Sequence, residues 1–141
     1  MDLDDFKNIN DTMGHRSGDY ALRCVADLFR HTLRATDMVG RVGGDEFVAL
    51  LTGISAEKGG VECAKRLCEA VSSMEDPNMG GLKLSCSIGG AVCPKDGNDY
   101  DTLFVKADTA AYEAKRQGKN RYVFYTPGLE LKNGYCSSSM S

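Results

Sequence analysis

No run of apolar residues in this 141-residue chain approaches the ~20 needed to cross a bilayer. A leader is not visible either: the first residues, MDLDDFK, are acidic and hold no apolar core segment. These absences point to a cytoplasmic protein, or to a soluble domain of a membrane-anchored parent. Positive charge is not in excess. The net charge of −3 gives no global basic field to attract nucleic acid. A phosphate ligand stays open, because a bound metal and a few lysines supply positive charge locally. The six cysteines, Cys24, Cys63, Cys68, Cys86, Cys93 and Cys136, include no CxxC pair. Most have apolar neighbours, so they read as reduced, buried, small hydrophobes. There is no internal repeat and no second domain, and the length suits a single one.

What is present is an alternation of strand and helix patterns. Met1 to Asp4 reads as the end of a strand. Between Asp5 and Gly18, Phe6, Ile9 and Met13 are spaced like one face of a short helix, and Asp19 is expected to cap the next. Leu22, Val25, Ala26, Phe29 and Leu33 then recur at helical spacing. Met38–Val42 and Phe47–Leu51 are strand-like and flank Gly43-Gly44, a hairpin-turn signal. Val61, Ala64, Leu67, Cys68 and Val71 mark another amphipathic helix, which Asp76-Pro77-Asn78 is expected to break. Leu82–Val92 reads as a strand with a kink or bulge at Gly89-Gly90. Tyr100–Gln117 predicts a long helix with Gly118 just past its end. Arg121–Tyr125 closes the pattern as a strand, and a loose polar tail is expected over 126–141. A hairpin inside alternating elements predicts a mixed sheet with helices packed on it.

Asp45 and Glu46 sit at the hairpin tip. Acids at a turn are usually solvated, but a second acidic group, Asp2, Asp4 and Asp5, ends the first strand. Asp2 and Asp4 share a face, since strand side chains alternate. Two acidic strand ends side by side are expected to form a pocket of three or more carboxylates. Such a cluster repels itself unless a divalent cation fills it, and hard oxygen ligands suit Mg²⁺ with substrate phosphates. Lys7, Lys115 and Lys119 fit a phosphate, although the last two also suit a helix C-terminus. Asn10 and Asp19 offer acceptors and donors that match a guanine edge. As plain structure they are a turn residue and a helix cap.

The runs DLDDFKNINDTMGHRSGD, RVGGDEF, SIGGAV and AD-TAAYEAKRQGKNR, in this order, resemble the GGDEF family of bacterial diguanylate cyclases over residues 1–125. The resemblance implies an α+β fold like the nucleotidyl cyclase and polymerase palm (ferredoxin-like): a central mixed sheet, flanking helices and a hairpin carrying the signature. It implies condensation of two GTP into cyclic di-GMP with release of two pyrophosphates, using Mg²⁺ or Mn²⁺, in a homodimer formed at least transiently. It makes Asp2, Asp45 and the Leu3 carbonyl metal ligands. Glu46 becomes a second-metal ligand or the group that helps deprotonate the 3′-OH. Asn10 and Asp19 become guanine-reading residues. Phe6, Lys7, Lys115 and Lys119 take phosphate-binding positions, and Gly43 and Gly44 let the backbone approach the nucleotide. Arg34-Ala-Thr-Asp37 resembles the family's inhibitory RxxD site for bound product; its plain reading is an i,i+3 ion pair.

The pattern is broken at the start. The helix and the DxLTxLxNR-like motif that precede the first strand in the family are not in this sequence, so a truncated first strand is expected. No sensor domain accompanies it. A second reading is therefore a catalytically silent module that binds GTP or cyclic di-GMP.

Overall fold

A computed structural model describes residues 1–54, 56–76 and 81–130. Nine elements follow in order: β1 (Asp2–Leu3), α1 (Phe6–Met13), α2 (His15–Thr32), β2 (Met38–Gly43), β3 (Glu46–Leu50), α3 (Ala56–Ser72), β4 (Cys86–Gly90), α4 (Tyr100–Arg116) and β5 (Arg121–Phe124). The strands form one mixed sheet in the order β2-β3-β1-β4-β5. Among the described residues, β4 and β5 pair in parallel and the other pairs are antiparallel. This is the palm-like α+β arrangement expected.

The first strand is short, yet it is central. Leu3 is 2% exposed, and Asp2 pairs with Glu46 on one side and Ser87 on the other. Met1 extends the ladder: its amino group donates to the Phe47 carbonyl (2.8 Å), and the Phe47 amide donates back to Met1 (2.7 Å). Burial of Leu3 and pairing on both edges hold a strand that its length alone would not.

The helical spacings locate the core. Leu22, Val25 and Phe29 of α2 and Ala64, Leu67 and Val71 of α3 are buried with Leu3, Phe47, Cys86 and Ile88. Phe29 meets Phe47 edge to face, with ring centres 5.3 Å apart. Burying an aromatic pair of this kind contributes about 0.5–1.5 kcal/mol beyond its area. Cys86 faces Cys68 of α3, whereas Gly89, three residues on, faces α4. Alternation along the strand therefore sets α3 and α4 on opposite faces of the sheet. Cys63, Cys68 and Cys86 are buried as expected, Cys24 is half-buried and Cys93 exposed, and all five are free thiols. Cys136 lies outside the described residues.

Several local expectations change. Asp19 does not cap α2. Gly14, at φ 89, makes the break between α1 and α2, so α2 starts at His15 and Asp19 is an exposed residue in its second turn. The third helix stops at Ser72, before Asp76, whose carboxylate accepts the Tyr20 hydroxyl at 2.7 Å. Pro77 and Asn78 lie outside the described residues. No bulge occurs at Gly89-Gly90, which pair in register with Val123 and Phe124. These glycines serve packing: a Cβ on Gly89 would run into the Ala107 carbonyl and the Ala111 backbone of α4. The irregularity lies instead between Arg41 and Gly43, at the signature hairpin. In the tail, Leu129 is buried beside Ala110 and Tyr125, and the rest, from 131, is outside the described residues.

Candidate active site

The hairpin tip meets the first strand because β3 is hydrogen-bonded to β1. Asp2 stands opposite Glu46, and the Leu3 amide donates to the Asp45 carbonyl at 3.3 Å. Gly44, at φ 48, takes the left-handed turn that an L side chain resists. Arg41 braces this turn by donating its Nε to the Gly44 carbonyl at 2.7 Å.

Both acids at the tip are held in their protonated form to a higher pH than usual. Burial pushes the Asp45 carboxyl up, and the charge of Asp2 adds to it, against the pull of Lys115 and the N-terminus. Burial also raises Glu46, helped by the negative charges of Asp2, Asp108 and Asp45. The strand ends thus hold negative charge that lacks full compensation, which is the condition a hard divalent cation satisfies. Lys115 supplies part of the counter-charge: its Nζ lies 3.1 Å from Asp2 Oδ2.

The expected pocket of three or more carboxylates is not formed. Among the described residues, no three acidic, histidine or cysteine side chains converge on one point. Asp4 and Asp5 are turned elsewhere. Asp4 accepts from Ser85 Oγ and Ser87 Oγ, each at 2.6 Å, and from the Asn120 amide at 3.0 Å. Asp5 accepts Lys119 Nζ at 2.7 Å. The donors that remain, Asp2, the Leu3 carbonyl, Asp45 and Glu46, suit Mg²⁺, which binds through one or two carboxylates and completes its shell with water and phosphate oxygens.

Next to this acidic edge stands the start of α1. Asp5 occupies the cap position at φ 57, but its side chain makes no capping hydrogen bond. The first-turn amides at Phe6 and Lys7 therefore meet no side-chain cap, an arrangement that attracts anions. The Lys7 side chain is exposed, Lys115 is paired with Asp2 and Lys119 with Asp5.

Further along, Asn10 packs onto Gly18, where any Cβ would collide with its side-chain oxygen. Asn10 Oδ1 is buried with no hydrogen-bond partner among the described residues. Asp19 is the next residue on α2 and is exposed. A cleft of about 350 Å³ opens beside Asp19, lined also by Arg23, Arg30, Arg41 and Phe47.

Arg34 and Asp37 bind each other. The Arg34 amide donates to Asp37 Oδ2 at 2.9 Å, and Nε and one guanidinium NH₂ reach the two carboxylate oxygens at 3.3 and 3.2 Å. The guanidinium also donates to the Thr52 carbonyl. The hydrogen bonds from Arg34 hold the Asp37 carboxyl below the usual carboxylate range. Its plain reading as an i,i+3 pair is therefore realised here, and half of the Arg34 side chain remains exposed.

Sequence reasoning missed two participants. Asp108 adds negative charge at Glu46, and both line a cavity of about 560 Å³ with Val48 and Leu50. Its signal was present: it lies seven residues before Lys115, two turns up the same face of α4. Arg41 had no signal, because its role depends on the hairpin's bulge.

The family model "Diguanylate cyclase, GGDEF domain" matches residues 1–121. MucR of Pseudomonas aeruginosa, a bifunctional diguanylate cyclase and cyclic di-GMP phosphodiesterase, is 40% identical over 92% of the chain, which covers 19% of MucR. The diguanylate cyclase DosC of Escherichia coli is 41% identical over 92% of the chain, which covers 28% of DosC. The chain thus spans less than a third of either relative. Among solved structures, the GGDEF domain of TpbB (YfiN) from P. aeruginosa superposes with a TM-score of 0.89 at 30% identity, over 95% of this chain and 78% of that one. The GGDEF domain of DgcB from Caulobacter crescentus, solved with c-di-GMP, gives 0.79 at 28% identity, over 87% and 73%.

Proposed function

This chain belongs to the diguanylate cyclase GGDEF-domain family, and from that premise we propose that it condenses two GTP into cyclic di-GMP with release of two pyrophosphates. The observation that carries the reading is the pairing of Asp2 with Glu46, which joins two acidic strand ends beside the side-chain-uncapped start of α1 and two lysines. Asp2, the Leu3 carbonyl, Asp45 and Glu46 are the donors for Mg²⁺, or Mn²⁺ in its place, which when bound lowers the pKa of the attacking 3′-OH and stabilises charge on the phosphate.

The chain's own residues do the rest. Asp19 accepts from the N1–H and N2–H₂ edge of guanine, and Asn10 reads beside it. The first-turn amides at Phe6 and Lys7, with Lys7, Lys115 and Lys119, hold the triphosphate and offset its charge. Gly43 and Gly44 allow the backbone close to the nucleotide. Each chain holds one GTP, so two chains face each other as a homodimer and align each 3′-OH with the partner's α-phosphate. Product inhibition runs through Arg34 and Asp37, whose mutual pair opens to accept cyclic di-GMP. GTP as substrate sets the reaction in the cytoplasm. The catalytic domain spans 1–125.

The direct test is incubation of the purified chain with GTP and Mg²⁺, with chromatography for cyclic di-GMP, beside Asp45→Ala. Product from the parent and a loss of more than about a hundredfold in the variant are expected, beyond the 10–100-fold typical of an outer-shell partner. Near-normal turnover by Asp45→Ala would sink the assignment. GTP binding without product would select the silent binding module instead.

A further inference from the structure

Asp4 is 6% exposed and receives three donors, the hydroxyls of Ser85 and Ser87 and the Asn120 amide. The first two belong to β4 and the segment just before it. The third belongs to the turn that follows α4. This turn is unusual: Lys119 (φ 66) and Asn120 (φ 48) are consecutive non-glycine residues in left-handed conformation. Such a conformation costs roughly 1–2 kcal/mol per residue and persists only where surroundings enforce it. The helix end contributes one bond, from the Lys119 amide to the Ala114 carbonyl, and Arg121 Nε donates to the Lys119 carbonyl. Two further bonds tie the turn to the end of the first strand, in register: the Asn120 amide to Asp4, and Lys119 Nζ to Asp5. The last of these brings the lysine ammonium to the cap position of α1, beside the amides of Phe6 and Lys7.

We propose that Asp4 is a positioning residue: it holds the Lys119–Asn120 turn against the start of α1 and so sets the charge that Lys119 offers to a triphosphate. This rests on the reading of the site as a GTP site. In this role Asp4 acts through Lys119 and not on metal or nucleotide. Its carboxylate is an acceptor only, so it accepts all three donors without competing for them. Asn can nearly replace it, because its one oxygen serves Asn120 and Ser85 while the Ser87 hydroxyl rotates to accept. Ala removes the acceptor from all three donors, of which the Ser87 hydroxyl is fully buried.

The test is a calorimetric titration with Mg²⁺ and a non-hydrolysable GTP analogue, on the parent, Asp4→Ala, Asp4→Asn, Ser87→Ala, Lys119→Ala and the double variant Asp4→Ala/Lys119→Ala. Hydrogen exchange at the Asn120 amide is measured on the same proteins. Asp4→Ala is expected to weaken analogue binding about tenfold, the scale of a lost outer-shell partner. Asp4→Asn should restore most of it. Ser87→Ala should lower Tm yet keep the affinity, which separates positioning from general stability. In the Lys119→Ala background the Asp4 effect should vanish, since both residues act as one unit. Additive losses in the double variant overturn the proposal. So does an Asn120 amide equally protected in the parent and in Asp4→Ala. If the parent binds no analogue, the GTP reading fails, and amide exchange alone decides for or against the Asp4 brace.

Discussion

Lys115 Nζ stands 3.1 Å from Asp2 Oδ2, so an ammonium from α4 is paired with a carboxylate expected to bind metal. Cation and lysine therefore compete for one oxygen when nucleotide is absent. Removing the lysine is expected to tighten Mn²⁺ binding to the nucleotide-free chain several-fold, on the order of 1 kcal/mol for a partly exposed pair. The same Lys115→Ala change is expected to raise KM for GTP, because the triphosphate loses a counter-charge. Metal affinity is read by electron paramagnetic resonance of free Mn²⁺. An affinity equal to the parent's would show that the pair does not restrain the metal site.

Stability should depend on pH through the hairpin acids. The native carboxyls of Asp45 and Glu46 titrate above their ordinary values of 3.8 and 4.5, chiefly through burial. Their contribution is therefore fully present below those values and is lost as pH rises through the native ones. A divalent cation reverses the penalty by stabilising the ionised form. Mg²⁺ is thus expected to raise Tm at pH 7 and to have little effect near pH 4. Asp45→Asn should raise the metal-free Tm at pH 7 and remove most of the Mg²⁺ effect. Calorimetric scans across this range check it, and a Mg²⁺ shift independent of pH would contradict it.

At the RxxD pair the sign is opposite. Asp37 titrates below its ordinary value of 3.8, chiefly through its hydrogen bonds from Arg34. The stabilisation it brings is present above that value and fades as pH falls below it. Arg34→Ala is expected to abolish this acid-range loss and to weaken cyclic di-GMP binding more than about tenfold, since charged hydrogen bonds to phosphate or guanine disappear. Isothermal calorimetry with cyclic di-GMP reads the second effect. Unchanged product affinity would refute an inhibitory role.

The sheet tolerates no side chain at Gly89. A Cβ there would strike backbone atoms of Ala107 and Ala111, which have no freedom to swing aside. Gly89→Ala is expected to cost about 2 kcal/mol or more, at the upper side of overpacking effects. Urea denaturation measures it. A loss below about 0.5 kcal/mol, the range of surface substitutions, would mean that α4 shifts easily on the sheet.

Much of this was legible in the chain. The apolar positions of α2 and α3 are spaced for helices, and Leu22, Val25, Phe29, Ala64, Leu67 and Val71 are buried as that spacing predicts. Gly43-Gly44 marked the hairpin, and Asp45 and Glu46 stand at its tip. These readings succeed because period and turn chemistry are local. The cap assigned to Asp19 failed because Gly14, which makes the real break, is one glycine in a polar stretch rich in turn residues.

The sequence by itself determined which elements form, where the acids and lysines lie along them, and the family to which the chain belongs. Only the tertiary structure decided the partners. Asp2, Asp4 and Asp5 are nearly adjacent in the chain, yet Asp2 meets Lys115, Asp4 meets Ser85, Ser87 and Asn120, and Asp5 meets Lys119. Spacing sets which face a side chain takes. It does not set which distant donor arrives there, because that depends on how sheet order and helix packing bring β4 and the end of α4 against β1.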